Sequence, residues 1–248
     1  MLLVSGDNGT ARIRAAQQRA LLVALAIQAG DMVPADVLAE VLWGAAPPNS
    51  WRETLRNLIR RLRAALGADC VRIVRSSPGY LLDIGPVDVD MHAFESLHKT
   101  GMIAAQASNW KLAAGTLTEA LALWRGAPFT DVPSAMLRDT HLPCLQDRLL
   151  DVQVTRIEAV MRQATGASGG MIPDLRRLVA EHANNESFRW LLMLALVRSG
   201  RKAEALTVFR HAWDYSTSEL GVEPGHSLRQ LNQRMLADDE SLLYEWPG

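Results

Sequence analysis

Five arginines and an asparagine lie within residues 50–66, where apolar residues recur at helical spacing. At about 100° per residue, the leucines of this stretch, among them Leu62, fall on one side of a helix. Arg56, Asn57 and Arg60 fall on the opposite side. Guanidinium groups bind phosphates and guanine edges, and an asparagine amide can pair with adenine. The pattern therefore predicts a helix that presents a nucleic-acid-binding face, although a merely solvated charged face has the same residue pattern.

The sequence also predicts the limits of this helix. Ser50, followed three residues later by Glu53, is the pattern of a capping box, which would begin the helix. Gly67 follows the last leucine and would end it. Glu53 could accept a hydrogen bond from cytosine, but its place in the capping box favours a structural role. Trp51 is predicted to pack on the core side.

The residues that precede this helix predict the rest of a helix-turn-helix. Residues 17–29 are mostly apolar and predict a buried helix that ends at Gly30. Residues 32–33 predict a short strand, and Pro34 suits the first turn of a second helix, which Gly44 ends. A helix, a short connector and then a helix with outward arginines is the order of a helix-turn-helix.

The pattern changes after the arginine-rich helix. Residues 70–75 and 80–84 predict two short strands, and residues 76–79 are a turn signal between them. A hairpin directly after the second helix is the wing of a winged helix, and Arg72 and Arg75 would reach a DNA backbone from it. The predicted DNA contacts are the side chains of Thr54, Arg56, Asn57, Arg60, Arg61, Arg63, Arg72 and Arg75.

We predict two roles for these side chains, base reading and phosphate binding. Arg56, Asn57 and Arg60 are predicted to enter a DNA groove, while Thr54 near the helix start would touch a thymine methyl or a phosphate. The remaining arginines of the set would bind phosphates, which position a protein without specifying a sequence. Tyr80 is predicted to lie in the core behind the wing.

The second half of the sequence predicts helices only, joined mostly by short loops. Ala205, Phe209 and Ala212 follow the second-helix pattern of a tetratricopeptide repeat. Leu192 lies where the first helix of that repeat would pack. An ordinary helical hairpin has the same pattern, but several hairpins in series favour a helical-repeat domain, with a flexible break at residues 166–170. The predicted helices span residues 93–107, 110–124, 137–163, 172–182, 187–198, 202–218 and 225–236.

Composition and charge restrict the kind of protein. The chain has 248 residues, of which 48% are hydrophobic, as in an ordinary soluble globular protein. Residues 1–86 contain ten arginines and seven acidic residues, a net charge of +3, whereas residues 87–248 have a net charge of −4. This asymmetry favours an anionic partner for the first part and a different partner for the second. The two cysteines fit a reducing cytosol, and we find neither a signal peptide nor an apolar run of the ~18 residues that a membrane span needs.

Two other classes of function are less well supported by the sequence. The six histidines show no His-Glu-x-x-His spacing, and the sequence contains no cysteine cluster, phosphate-binding loop or Gly-x-Ser-x-Gly elbow. We therefore expect no enzymatic activity, no bound metal and no cofactor. The other alternative is a helical-repeat scaffold, or a repressor, whose winged helix binds protein rather than DNA. The arginine face argues against it, because such a face is suited to phosphates.

Short motifs follow one another in a consistent order along nearly the whole chain. In the first half these are Gln18-Arg19-Ala20-Leu21-Leu22, Leu42-Trp43-Gly44, Pro47-Pro48, Thr54-Leu55, Arg61-Leu62-Arg63 and Pro78-Gly79-Tyr80. In the second half they are Ala122-Leu123-Trp124-Arg125-Gly126, Met193-Leu194-Ala195-Leu196, Ser199-Gly200-Arg201, Ala203-x-Ala205-Leu206 and Glu219-Leu220-Gly221-Val222-Glu223-Pro224-Gly225. Each fragment alone is weak, but together they resemble the Streptomyces antibiotic regulatory protein family.

The resemblance implies a mainly α fold. Its N-terminal part, residues 1–86, would be a winged helix-turn-helix (α+β) DNA-binding domain of the response-regulator, OmpR-like type. Residues 87–248 would be an all-α, tetratricopeptide-like helical-repeat domain of the bacterial transcriptional activation type. The implied function is that of a cytoplasmic, nucleoid-associated activator, a homodimer on direct repeats of double-stranded DNA that recruits RNA polymerase holoenzyme. The usual targets of the family are biosynthetic gene clusters for secondary metabolites such as antibiotics.

The sequence departs from the family pattern in two places. The family normally begins with an antiparallel sheet of about four strands. Here only two short segments, residues 2–4 and 11–13, precede Gln17, and they predict a hairpin around an Asn-Gly turn. Glu53 and Arg60 replace the small or amide residues that are common at their positions, so we expect a different target sequence.

Overall fold

The computed structural model of the chain describes residues 3–6, 9–67, 72–85, 88–163 and 168–246. These described residues form five β-strands and ten α-helices. The strands are β1 (Leu3–Gly6), β2 (Gly9–Arg12), β3 (Met32–Pro34), β4 (Arg72–Ser76) and β5 (Gly79–Asp83). The helices are α1 (Ala16–Ile27), α2 (Ala35–Trp43), α3 (Trp51–Leu66), α4 (Asp90–Gln106), α5 (Trp110–Ala122), α6 (Ala135–Gln163), α7 (Ile172–Glu181), α8 (Glu186–Arg198), α9 (Lys202–Glu219) and α10 (His226–Leu236).

The chain folds into two compact units, and both are built from separate stretches of sequence. The first unit comprises Met1–Lys99 and Glu119–Leu150, and the second comprises Thr100–Thr118 and Asp151–Gly248. The first unit contains the two predicted helices of the helix-turn-helix and the predicted wing hairpin, so the winged helix followed by helices is confirmed. None of the described helices is both long and apolar enough to cross a membrane.

Two small antiparallel sheets lie in the first unit. β1 pairs with β2 from Leu3 opposite Arg12 to Gly6 opposite Gly9, which confirms the predicted N-terminal hairpin. The predicted Asn-Gly turn falls partly outside the described residues. The second sheet has the order β3-β5-β4, so β4 is an edge strand of the wing.

One face of the three-stranded sheet covers the core of the first unit. Val33 is opposite Tyr80, and Ile73 is opposite Leu82. All four side chains are buried, as expected when alternate residues of a strand face the same side. The prediction that Tyr80 lies in the core behind the wing is confirmed.

The core of the winged helix also contains residues from much later in the sequence. Val132 and Leu137 belong to the same hydrophobic cluster as α1, α2, α3 and the wing. The Ser134 hydroxyl donates a buried hydrogen bond of 2.9 Å to the Val41 carbonyl. The Arg19 Nε donates a hydrogen bond of 2.7 Å to the Asp131 carbonyl. Residues beyond position 86 therefore complete this core, while the domain boundary at residue 86 stays a prediction.

Two details of the predicted helix starts are wrong. Ser50 does precede α3, but its side chain makes no capping hydrogen bond, because its φ of −95° and ψ of 26° lie outside the extended region that a capping residue adopts. The Ser50 carbonyl instead accepts from the Glu53 and Thr54 N–H groups, at 3.0 Å each. Pro34 is the last residue of β3, and α2 begins one residue later, at Ala35.

The helices of the second half lie close to their predicted limits. α8 is buried almost all round, with Leu191 to Leu196 inaccessible to solvent, because it packs against α7, α9 and α10. Ala205 and Ala212 of α9 are fully buried and small, so α9 can approach α8 closely. The predicted helix pair is therefore present, with Leu192 buried as expected. The predicted break at residues 166–170 lies partly outside the described residues.

Candidate nucleic-acid interface

The apolar side of α3 fixes the orientation of the whole helix. Leu55, Leu58, Ile59, Leu62 and Leu66 are buried in the core of the first unit. Trp51 is half-buried against the same core, so the predicted apolar stripe and the packing of Trp51 are confirmed. Gly67 ends the helix with a φ of 78°, a left-handed conformation that glycine adopts without strain. The residues between the buried positions must therefore face outward.

The outward side of α3 brings most of the predicted groove contacts together. Arg56, Asn57, Arg60 and Arg61 are all exposed. Thr54 is half-buried, and its hydroxyl donates a hydrogen bond of 3.2 Å to the Ser50 carbonyl. The Thr54 hydroxyl is thus turned back onto its own helix, which leaves its methyl group for contacts in a groove. That these side chains contact DNA stays a prediction.

The arginines of this face are not neutralised by neighbouring carboxylates. None of the ion pairs within the described part of the chain includes Arg56, Arg60 or Arg61. The Arg56 Nε donates a hydrogen bond of 3.3 Å to the Arg52 carbonyl one turn earlier. Glu53 is the one carboxylate of α3. The face therefore presents unpaired guanidinium groups, which can bind an anion without first breaking an ion pair.

Arg63 differs from the other arginines of α3. Its Nε and Nη2 donate hydrogen bonds of 2.9 and 2.5 Å to a single acceptor, the carbonyl of Ile73 in β4. Arg63 was predicted to bind a phosphate, but its guanidinium group connects α3 to the wing. The sequence offers no signal for this contact, because ten residues separate the donor from the acceptor.

The wing places one predicted contact at its exposed end. Arg75 is exposed and lies opposite Tyr80, two positions before the turn that joins β4 to β5. Because Tyr80 is buried, Arg75 belongs to the face of the sheet that packs on the core. The backbone of Arg72 lies in β4 as predicted, but its side chain lies outside the described residues.

Arg52 is an exposed residue of this face that the sequence reasoning missed. Its Cζ lies 4.3 Å from the centroid of the Trp51 ring, a cation–π contact. Arg52, Arg56 and Arg60 are spaced four residues apart, so they follow one another along a single row of the helix. That spacing is the signal that could have found Arg52.

No group of three or more histidine, cysteine, aspartate or glutamate side chains among the described residues is arranged to hold a metal ion. Cys144 is a free, exposed thiol, and Cys70 lies outside the described residues. The most developed functional surface is the outward face of α3 together with the wing.

Comparisons with known proteins agree with this architecture. Residues 12–82 match the family model described as transcriptional regulatory protein, C terminal. Residues 89–236 match the family model described as bacterial transcriptional activator domain. The second model alone covers more than half of the chain, and residues 83–88 lie between the two matched ranges.

Curated relatives of the chain are regulatory proteins. The chain is 35% identical to the regulatory protein DnrI of Streptomyces peucetius over 97% of this chain and 91% of that protein. It is 34% identical to the transcriptional regulator RedD of Streptomyces coelicolor over 93% of this chain and 67% of that protein. The regulatory protein AfsR of Streptomyces griseus is also 34% identical, but the chain spans only 23% of its length.

A solved structure has the same fold. The structure of Mycobacterium tuberculosis EmbR in complex with a low affinity phosphopeptide matches with a TM-score of 0.86 and 27% sequence identity. The match covers 97% of this chain and 67% of that chain. The two family models, the relatives and the shared fold agree with the motifs along the sequence. The chain belongs to the Streptomyces antibiotic regulatory protein family of transcriptional activators, with an OmpR-like winged helix and a bacterial transcriptional activator domain.

Proposed function

We propose that the protein activates transcription by binding double-stranded DNA through the outward face of α3 and the wing. The observation that supports this most strongly is the unpaired, exposed set of Arg56, Arg60 and Arg61 on a helix whose other side is buried. An α-helix with its side chains is about 10–12 Å in diameter. Such a helix can lie in a major groove, which is about 12 Å wide.

The side chains of the face divide into two roles in this proposal. Arg56, Asn57 and Arg60 read base edges, since Asn pairs with adenine and Arg with guanine. Arg61 of α3 and Arg75 of the wing bind phosphates, which adds affinity without sequence information. Arg52 joins the row at the start of α3 and contributes a further positive charge to it.

Two copies of the chain bind one control region. A single winged helix covers only one half-site, so tight binding requires a second copy on a direct repeat about one helical turn away. In this proposal residues 1–86 contact the DNA. Residues 87–248, net acidic and helical, supply the contact between copies and the contact to RNA polymerase holoenzyme. In this proposal the protein acts in the cytoplasm, at the nucleoid, and the regulated genes form a secondary-metabolite pathway, as the family resemblance implies.

The test uses the full chain and a duplex selected by it from random-sequence DNA. We expect the affinity to fall steeply as salt rises, because phosphate binding releases counterions. Inserting about 5 bp between the two repeats places them on opposite faces of the duplex, and we expect weaker binding and no activation in a transcription assay with purified RNA polymerase.

Three results would contradict the proposal. Selection that enriches no sequence would exclude specific reading of bases. An affinity that is independent of salt would point to the alternative in which the winged helix binds protein. Full activity after the 5 bp insertion would contradict both the binding to direct repeats and the role of the second copy.

A further inference from the structure

The edge strand of the wing has a carbonyl group that no neighbouring strand can pair. Among the described strands, β4 pairs only with β5, so the groups on its other side need partners elsewhere. Ile73 stands opposite Leu82, and the Leu82 carbonyl accepts a hydrogen bond of 3.1 Å from the Gly30 N–H, away from β4. This is the arrangement of a residue pair that does not exchange ladder hydrogen bonds, in which the Ile73 carbonyl points outward.

Arg63 binds this carbonyl with two donors of its planar guanidinium group. Its Nε and Nη2 both reach the Ile73 carbonyl, at 2.9 and 2.5 Å. A guanidinium group holds such a geometry better than an ammonium group, because its donors are fixed in one plane. The contact joins the last turn of α3 to the middle of β4.

The position of Arg63 on α3 relates this contact to the DNA-binding face. Arg56, Arg60 and Arg63 are spaced by four and three residues, so they lie in one row along the helix. The carbonyl that Arg63 holds is two residues from Arg75, the exposed arginine at the end of the wing. A single guanidinium group therefore lies at the end of the arginine row and sets the distance from that row to the wing.

We propose that Arg63 is a positioning residue that fixes the wing against α3, and that its effect on DNA binding passes through Arg75 rather than through a phosphate of its own. The DNA-binding part of this inference rests on the function proposed above. The effect of Arg63 on the wing does not rest on that function, because it is measured on the protein without DNA.

The first measurement is hydrogen exchange of the wing amides in the DNA-free full chain. Arg63→Ala leaves the Ile73 carbonyl without its partner, so we expect the amides of β4 and β5 to exchange about tenfold faster than in the wild type. Arg61→Ala is the matched control, because Arg61 is an exposed neighbour on α3 with no hydrogen bond to the described residues of the wing. Unchanged exchange in Arg63→Ala, or equal acceleration in both variants, would overturn the proposal.

The second measurement is a double-mutant cycle on the selected duplex. We expect Arg63→Ala to weaken binding about tenfold in the wild type but less than about twofold in Arg75→Ala, because the two residues act through one contact. Arg61→Ala should weaken binding by the same factor in both backgrounds. If Arg63→Ala also costs the same factor in both, Arg63 binds its own phosphate and the proposal is wrong.

A conservative variant separates a direct phosphate contact of Arg63 from its contact with the wing. Arg63→Lys keeps the positive charge but not the planar pair of donors. We expect it to behave like Arg63→Ala in both measurements, whereas a direct phosphate contact would be largely preserved by lysine. Should the wild type not bind DNA, the proposed function fails, while the exchange result still decides whether Arg63 holds the wing.

Discussion

On α3, Arg56, Arg60 and Arg61 are exposed, and no ion pair of the described residues includes them. In the second compact unit, six arginines each lie within ion-pair distance of a carboxylate: Arg162, Arg176, Arg177, Arg201, Arg229 and Arg234. The same residue type therefore meets two different electrostatic environments in one chain. On α3 the positive charge is therefore left for an external partner.

Arg162 shows how thoroughly a cation of the second unit is engaged. Its Nε donates a hydrogen bond of 2.7 Å to Glu158, one turn earlier on α6. Its Cζ lies 4.3 Å from the centroid of the Trp110 ring and 4.1 Å from that of the Trp246 ring. Arginines held in this way contribute to the packing of the unit that contains them. The comparison teaches that the number of arginines predicts little, whereas the presence of a partner separates structural from functional ones.

The largest expected effect comes from the apolar side that orients the α3 arginines. Leu62 is fully buried, so Leu62→Ala should lower the free energy of unfolding by about 2–5 kcal/mol. Leu175→Ala, at a fully buried position of α7, is the control and should cost a similar amount. Denaturant unfolding and DNA affinity of the folded protein are measured together. Only Leu62→Ala should weaken DNA binding. Equal weakening by both variants would contradict the proposal that α3, and not the second unit, presents the DNA-binding arginines.

A smaller effect is expected from Arg60, which takes part in no ion pair of the described residues. Arg60→Ala should leave stability unchanged and weaken binding to the selected duplex by about 1–3 kcal/mol. Arg177→Ala is the matched control, because Arg177 is an exposed helical arginine with a partner, Glu181, at 2.7 Å. The control should bind DNA like the wild type. If the two variants behave alike on the selected duplex, the absence of an internal partner does not identify a functional arginine.

For Arg162 we expect a loss of stability without a loss of DNA affinity, the reverse of the result expected for Arg60. Arg162→Ala should reduce the free energy of unfolding by about 1–2 kcal/mol, since both indole rings lose a cation and the packed stem is removed. Arg162→Lys keeps the charge and should fall between the wild type and the alanine variant. Thermal unfolding monitored by tryptophan fluorescence measures both. DNA affinity should not change, and a loss as large as that of Arg60→Ala would place Arg162 in the interface.

Substitution of Arg61 should have the smallest effect on DNA binding. It tests which arginines of α3 bind phosphates and which read bases. Arg61→Ala should weaken binding to the selected and to a scrambled duplex equally, and should lower the salt slope by about 1, as expected for one lost phosphate contact. Affinities measured at several salt concentrations on both duplexes provide the test. A loss confined to the selected duplex would show that Arg61 reads a base.

The sequence predicted α3 well because its signals are local. Apolar residues at helical spacing determine which side is buried, and Gly67 ends the helix at the predicted position. The same local reasoning failed at Ser50. A capping residue must also adopt extended backbone angles, and these depend on how the preceding connector packs.

The sequence by itself therefore determined which helix presents the arginines, where it ends, and that a hairpin and a set of helices follow. Tertiary structure alone decided three further points. It brought Val132 and Leu137 into the winged-helix core, it gave Arg63 the Ile73 carbonyl as its partner, and it left Arg60 outside the ion pairs of the described residues. The physical reason is that helical periodicity depends on neighbours within two turns, whereas these contacts join residues that are distant in sequence and meet only when the core packs.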